Sequence, residues 1–263
     1  MDSNTHTNAL PNTDPVIRVA ALAKTFPGGV QALAGLDFTI DRAQFVSVLG
    51  PSGCGKSTLL RMLGGLYPAD PGSTTEMLGA PVTGPSSAVG IVFQTHNMLP
   101  WATVEANIRL AAEVRAMPQA ELDERLERIL GVLRLTDFRH RYPHELSGGM
   151  RQRASFGQIL ILEPEVLLLD EPFGALDALT RDQLNVELLN LWQARRQTVM
   201  LITHSIAEAV FLSDRVLVMS DRPGRILADM KIDCGRPREP RATRESPEFT
   251  RHVLELSRMM GVL

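Results

Sequence analysis

Apolar and polar positions change their rhythm several times along this chain. Val16-Ile17-Arg18-Val19 and Leu36-Asp37-Phe38-Thr39-Ile40 alternate with a period of two, which predicts half-buried antiparallel strands. A Pro27-Gly28-Gly29 turn lies between them. Phe45–Leu49, Glu165–Leu169 and Val199–Ile202 are instead nearly continuous apolar runs, the mark of parallel strands buried on both faces. Shorter strands are expected near 74–78, at Val89–Phe93 and at Arg215–Met219. A peripheral, alternating strand is expected over 225–232.

Helical periodicity takes over from about residue 97. Helices are predicted over 104–115, over 119–133, and from Ser147 to about Leu162. In the second, Leu122, Leu126, Ile129, Leu130 and Leu133 share one face. Glu121–Arg125 and Glu124–Arg128 are i,i+4 pairs worth a few tenths of a kcal/mol each. Further helices are expected from the phosphate-loop region to about Leu66, over 179–195 with Leu184, Leu188, Leu191 and Trp192 inward, and over 205–212. A last amphipathic helix carries Phe249, Val253, Leu256 and Met260, with its basic residues on a solvated face. No internal repeat is present.

Strands alternating with helices predict an α/β core with a mainly parallel sheet, an N-terminal antiparallel β part, and an inserted α-helical stretch. The expected division is a disordered tail over 1–14, a main domain over 15–235 with the helical part inserted at about 95–164, and a C-terminal linker and helix over 236–263.

Composition narrows the partners. The 263 residues are 44% hydrophobic and 22% charged, enough to build a sizeable core. The net charge of −3 shows no basic surplus, so nucleic acid is not an expected partner. The two cysteines, Cys54 and Cys234, are far apart, which favours free thiols and a reducing compartment. Met1 to Pro15 lacks an apolar core of the secretory kind. No run approaches the roughly 20 apolar residues a membrane helix needs. The chain is therefore expected to meet a membrane only through a partner.

Chemistry concentrates at three places. Gly50-Pro51-Ser52-Gly53-Cys54-Gly55-Lys56-Ser57-Thr58 follows an apolar strand and opens a helix, the phosphate-loop spacing. Its glycines let backbone N–H groups surround a polyphosphate, and the helix N-terminus adds positive potential. Lys56 is expected on the terminal phosphates and the Ser57 hydroxyl on Mg²⁺. Asp170-Glu171 closes the apolar strand at 166–169. Asp170 is placed to hold Mg²⁺, and Glu171, pointing elsewhere, to take a proton from an attacking water. Ser147-Gly148-Gly149 before a helix is a second anion-binding geometry. A second clamp has no use within one monomer whose first loop already wraps the nucleotide. It makes sense if it completes a partner's site.

Taken in order, these stretches resemble the nucleotide-binding subunits of ABC transporters over about residues 16–232. Leu146-Ser147-Gly148-Gly149 matches the family signature, Gln94 the Q-loop, Gly174-Ala175-Leu176-Asp177 the D-loop, and His204 the switch histidine. Phe26 stands where the family has an adenine-stacking aromatic, a contact worth about 1–3 kcal/mol. Met98–Asn107, Tyr142–Glu145, Pro172–Asp177, Thr180-Arg181 and Arg222-Pro223-Gly224-Arg225 resemble the nitrate, sulfonate and taurine importer ATPases.

The resemblance implies a P-loop NTPase core that binds ATP and Mg²⁺ and hydrolyses ATP in a dimer with a second nucleotide-binding subunit. Gln94 joins Ser57 and Asp170 around the metal, and Asp177 joins the composite nucleotide site. Glu171, His204, Gln94 and Lys56 carry the chemistry. The resemblance further implies permease subunits in the membrane, a substrate-binding protein acting through them, and a peripheral location on the cytoplasmic face. Two rivals remain at this level: a soluble ABC ATPase not coupled to transport, and a small-molecule kinase built on the same loop. Trp101 has two readings, a groove for a permease helix or local packing. The chain departs from the family after Gln152-Arg153. Gln158 stands where arginine is usual, and Gly157 costs a helix interior about 1 kcal/mol relative to Ala.

Overall fold

The computed structural model describes residues 15–94, 97–174 and 176–262. The tail expected over 1–14 and Ala175 of the D-loop match fall outside them.

The continuous apolar runs become strands buried at every position: β3 (Phe45–Leu49), β7 (Val166–Asp170) and β8 (Thr198–Ile202). With β6 (Val89–Val92), β9 (Arg215–Met219) and β10 (Ile226–Lys231) they form a six-stranded sheet in the order β10-β9-β3-β8-β7-β6. All neighbours are parallel except β10, which pairs antiparallel at the sheet edge, the peripheral place its alternation predicted. Its backbone is satisfied on one side only, which suits its half-buried, half-exposed pattern. The alternating N-terminal runs form β1 (Ile17–Thr25) and β2 (Gln31–Ile40), and these join β4 (Thr74–Met77) and a short β5 (Ala80–Pro81) in an antiparallel sheet.

Since β3, β6, β7 and β8 run in parallel, their carboxyl ends lie along one edge of the sheet. The phosphate loop, Gln94, Asp170-Glu171 and His204 all follow those ends. The topology thus collects residues spread over more than a hundred positions onto one rim, where open α/β sheets bind ligands.

Between β6 and β7 lie α2 (Val104–Val114), α3 (Gln119–Val132) and α4 (Gly148–Leu160). The predicted face of α3 is buried throughout. Gly157 has a packing reason. A Cβ there would lie 2.8 Å from Ile108 Cδ1 of α2, so the glycine lets α4 approach α2 closely. Gln158 uses that approach, its amide donating to the Asn107 carbonyl at 3.3 Å. Of the two expected ion pairs, Arg125–Glu121 forms at 2.5 Å. The Glu124–Arg128 pair does not. Arg128 turns to Glu163 just beyond α4, a half-buried carboxylate that also receives Arg125 and Arg195. A less solvated acid attracts the guanidinium more strongly than an exposed helix neighbour.

After β7 come α5 (Ala178–Arg195) and, after β8, α6 (Ile206–Leu212). The first helix, α1 (Lys56–Leu63), stops three residues before the expected end, at Gly64-Gly65. The stretch expected to be a linker is anchored. Arg238 is 5% exposed and donates to the carbonyls of Val210, Phe211, Ser213 and Cys234. Burial lowers its pKa to about 10, still far above neutrality, so the guanidinium is charged and caps the C-terminal end of α6. Arg236 adds bonds to Asp214 and the Leu212 carbonyl and stacks on Trp192 at 4.1 Å. A short α7 (Pro240–Arg244) follows, and α8 (Pro247–Met259) buries Phe249 and Leu256.

Candidate functional site

The phosphate loop is shaped by its glycines. Gly53 and Gly55 have φ of 80° and 107°, a region L side chains rarely adopt. Gly55 is also the N-cap of α1 and supplies no capping side chain, and the first turn of that helix carries no acid. The helix therefore opens onto the loop with N–H groups and positive potential uncompensated by side chains. Lys56 is 6% exposed and folds back along the loop, donating to the carbonyls of Gly50 at 2.7 Å and Pro51 at 2.8 Å. Cys54 is buried, its sulfur 3.9 Å from Lys56 Nζ.

Ser57 joins the loop to the β7 terminus. Its hydroxyl donates to Asp170 Oδ1 at 2.9 Å. Burial pushes the Asp170 carboxyl above its ordinary value and the neighbouring Glu171 adds to that, while Ser57, Arg61 and Lys56 pull it down. A hydroxyl and a carboxylate in contact form a hard oxygen donor pair. Such a pair fits a magnesium ion, which takes one or two protein oxygens and fills its shell with water and phosphate oxygens. Among the described residues no cluster of three or more His, Cys, Asp or Glu is set to hold a metal, and a magnesium site of this kind needs none.

Glu171 leaves the strand in a left-handed conformation, φ 45°, while its N–H still donates to the Ile202 carbonyl at 3.0 Å. Its side chain meets His204, whose Nδ1 lies 3.3 Å from Glu171 Oε2. The strand-to-helix turn around His204 is held by hydroxyls. Ser205 N–H donates to Thr203 Oγ1 at 3.0 Å, and the Thr203 hydroxyl donates to the buried carboxyl of Glu208.

Phe26, Ser52, Gly53, Gly55, Lys56, Ser57, Thr58, Gln94 and Glu171 line one open cavity of about 420 Å³. Phe26 sits at its wall, edge-on to Tyr67 with ring centroids 5.7 Å apart. Asp170 and His204 reach this cavity through Ser57 and Glu171. Ser147, Gly148, Gly149 and Asp177 are not among its lining residues. Ser147 and Asp177 instead cap two helices that touch each other. Ser147 Oγ accepts from Met150 N–H at 3.3 Å, Asp177 Oδ1 accepts from Thr180 N–H at 3.0 Å, and Gly149 packs so tightly on Thr180 that a Cβ there would lie 2.8 Å from its methyl. That N–H bond holds the Asp177 carboxyl below its usual range. The predicted site residues thus fall into two separate groups, one around the cavity and one at the caps of α4 and α5. Trp101 is 73% exposed, so the local-packing reading of that residue fails.

Sequence reasoning missed several residues. Val30, Ala32 and Arg222 also line the cavity. Ala32 lies in β2 and Val30 just before it, and nothing in the sequence marks either as cavity wall. Glu208 and Thr203 had no motif to single them out.

The family model described as ABC transporter matches residues 33–174. The nitrate import ATP-binding protein NrtD of Synechococcus elongatus is 39% identical over 255 residues, covering 92% of this chain and 92% of that protein. An aliphatic sulfonates import ATP-binding protein, SsuB of Bacillus cereus, is 44% identical over 201 residues, covering 76% of this chain and 78% of that protein. Among solved structures, the dimeric ATP-binding cassette MJ0796 in a post-hydrolysis state bound to ADP and Pi is similar with a TM-score of 0.72 and 27% identity. That match covers 82% of this chain and 98% of that one.

Proposed function

The chain belongs to the ABC transporter family of ATP-binding, ATP-hydrolysing proteins, and from that premise we propose that it powers uptake of a small oxyanion or organosulfonate, of the nitrate, sulfonate or taurine type, through separate permease subunits. In this reading it is a peripheral protein on the cytoplasmic face, and a substrate-binding protein delivers the solute to the permease. The names of its nitrate and sulfonate relatives support the solute class. No helix among the described residues is long and apolar enough to cross a membrane, which supports a solute path supplied by separate permease subunits.

The observation that carries the mechanism is the separation of the two half-sites. Two copies meet head to tail, and each ATP lies between the Lys56 cavity of one copy and Ser147–Gly149 and Asp177 of the other. ATP then has more partners in the closed dimer than in the open one, the differential affinity that a ligand-driven switch needs. Lys56 gives up the Gly50 and Pro51 carbonyls for the terminal phosphates, a stronger, charge-assisted contact. Phe26 stacks on the base. Ser57 and Asp170, with Gln94 at the rim, would hold Mg²⁺, which when bound neutralises phosphate charge. Glu171 accepts the proton of the attacking water, and His204, 3.3 Å from it, orients the γ-phosphate.

Glu171→Gln tests this. The variant should bind ATP, form a dimer in gel filtration, and turn over at least about a hundredfold more slowly, the range expected for loss of a general base. Wild-type turnover in that variant would remove Glu171 from the role. For the solute, the intact membrane complex should show ATPase activity stimulated by nitrate, an alkanesulfonate or taurine in the presence of its binding protein. Indifference to all three would reject the proposed class.

A further inference from the structure

The turn between β9 and β10, Ser220 to Arg225, crosses the phosphate loop. Gly224 N–H donates to the Ala32 carbonyl at 2.9 Å and its own carbonyl accepts from Ala34 N–H at 3.0 Å, stitching the turn to β2. A Cβ at Gly224 would lie 2.3 Å from the Cys54 carbonyl oxygen, so the turn rests backbone on backbone against the loop. The Ser220 hydroxyl accepts from Arg225 N–H at 3.0 Å and ties the turn shut. Arg222 therefore projects from a fixed point. Its Nε donates to the Gly53 carbonyl at 3.2 Å, and its guanidinium lines the same cavity as Lys56.

We propose that Arg222 is a second cationic contact for the phosphates of the bound nucleotide, opposite Lys56 across the loop. Among the described residues that line the cavity, Lys56 and Arg222 are the only cationic side chains and Glu171 is the only acid. One of the five guanidinium donors serves Gly53, which leaves the rest of the fork for phosphate oxygens, a geometry the guanidinium suits. The contact adds charge to a cradle otherwise made of backbone N–H groups and one lysine. The inference rests on the ATP-binding reading above.

A purely structural role, bracing the loop through Gly53, is the competing account. Titration calorimetry of the full chain with ATP and ADP, on wild type and on Arg222→Lys, Arg222→Gln and Arg222→Glu, separates the two. Glutamine retains a donor for the Gly53 carbonyl but no charge. A phosphate contact makes affinity follow charge. Lysine should stay within about threefold of wild type, glutamine should lose on the order of tenfold, and glutamate should lose more, with all losses shrinking at high salt. Thermal midpoints of the ligand-free proteins should stay together. Affinity that is equal in the glutamine and glutamate variants, or wild-type affinity in Arg222→Glu, overturns the proposal. If Arg222→Glu melts early, the lysine and glutamine pair decides, and equal affinities there also overturn it. A wild type that binds neither nucleotide sinks the ATP reading and this proposal with it. A wild type that binds beside an equally binding Arg222→Glu sinks the role of Arg222 alone.

Discussion

Glu208→Gln should stabilise this protein at alkaline pH and not at acid pH. Glu208 is 7% exposed on α6. One of its oxygens takes the Thr203 hydroxyl. The other, Oε1, is a buried acceptor with no partner, and so is Oδ1 of Asn185 on α5. Burial pushes the Glu208 carboxyl above its ordinary value of 4.5, against the pull of the Thr203 hydroxyl. The sign follows from proton counting. Between 4.5 and the higher folded value, the folded state holds a proton that the unfolded state has lost. The favourable contribution is therefore complete below 4.5 and is lost as pH rises through the folded value. Above that value the protein carries a buried charge. Glutamine keeps the shape and an oxygen for Thr203, and supplies a permanent donor where two acceptors lack one. An unsatisfied buried polar group costs about 1–3 kcal/mol, so the expected gain at pH 8 is about 1–2 kcal/mol. At about 2–4 °C per kcal/mol for a chain of this size, the midpoint should rise by about 2–8 °C. Thermal unfolding followed by circular dichroism at pH 8 and near pH 4.5 measures it. As pH falls the wild-type carboxyl takes up its proton and donates for itself, so the difference should shrink toward acid pH. A lower midpoint for the variant at pH 8, or a gain that persists on acidification, would refute the reasoning.

Two further outcomes test the half-sites and the loop beyond Gln94. Ser147→Arg removes the α4 cap, worth about 1 kcal/mol, and fills the surface proposed to meet the partner's nucleotide. ATPase activity should vanish while calorimetric ATP binding to the monomer persists, because Ser147 is not among the lining residues of the Lys56 cavity. Hydrolysis at the wild-type rate would reject the composite site. Asn107→Ala deletes a fully buried amide that donates to the Leu99, Ala102 and Thr103 carbonyls and accepts from Leu99 N–H at 2.7 Å. The loop carrying Trp101 should loosen at a cost of at least about 2 kcal/mol, read as faster amide hydrogen exchange over residues 99–103. Unchanged exchange there would mean the loop is held by something other than Asn107.

How much could be read from the chain alone depended on what each residue's partner was. Phe45–Leu49, Val166–Leu169 and Val199–Ile202 were legible as buried strands because burial on both faces leaves an uninterrupted apolar run. The phosphate loop was legible because its parts are neighbours in sequence. Arg236 and Arg238 were not. An Arg-Pro-Arg-Glu-Pro stretch has the composition of an exposed linker, yet both side chains dock on carbonyls around the end of α6. A carbonyl is present at every residue, so a guanidinium seeking one leaves no pattern to find. Arg222 is hidden for the same reason, since its partner in the chain is the Gly53 carbonyl. Gly157 read as a cost to its helix, and only the Ile108 side chain across the gap explains it. The half-sites follow the same logic at larger scale. Spacing could say that Lys56 and Ser147–Gly149 each suit an anion. Only the packing of Gly149 on Thr180 puts the second group beside Asp177, and not among the residues that line the Lys56 cavity. If one nucleotide is to touch both, the missing half of each site has to arrive on another chain.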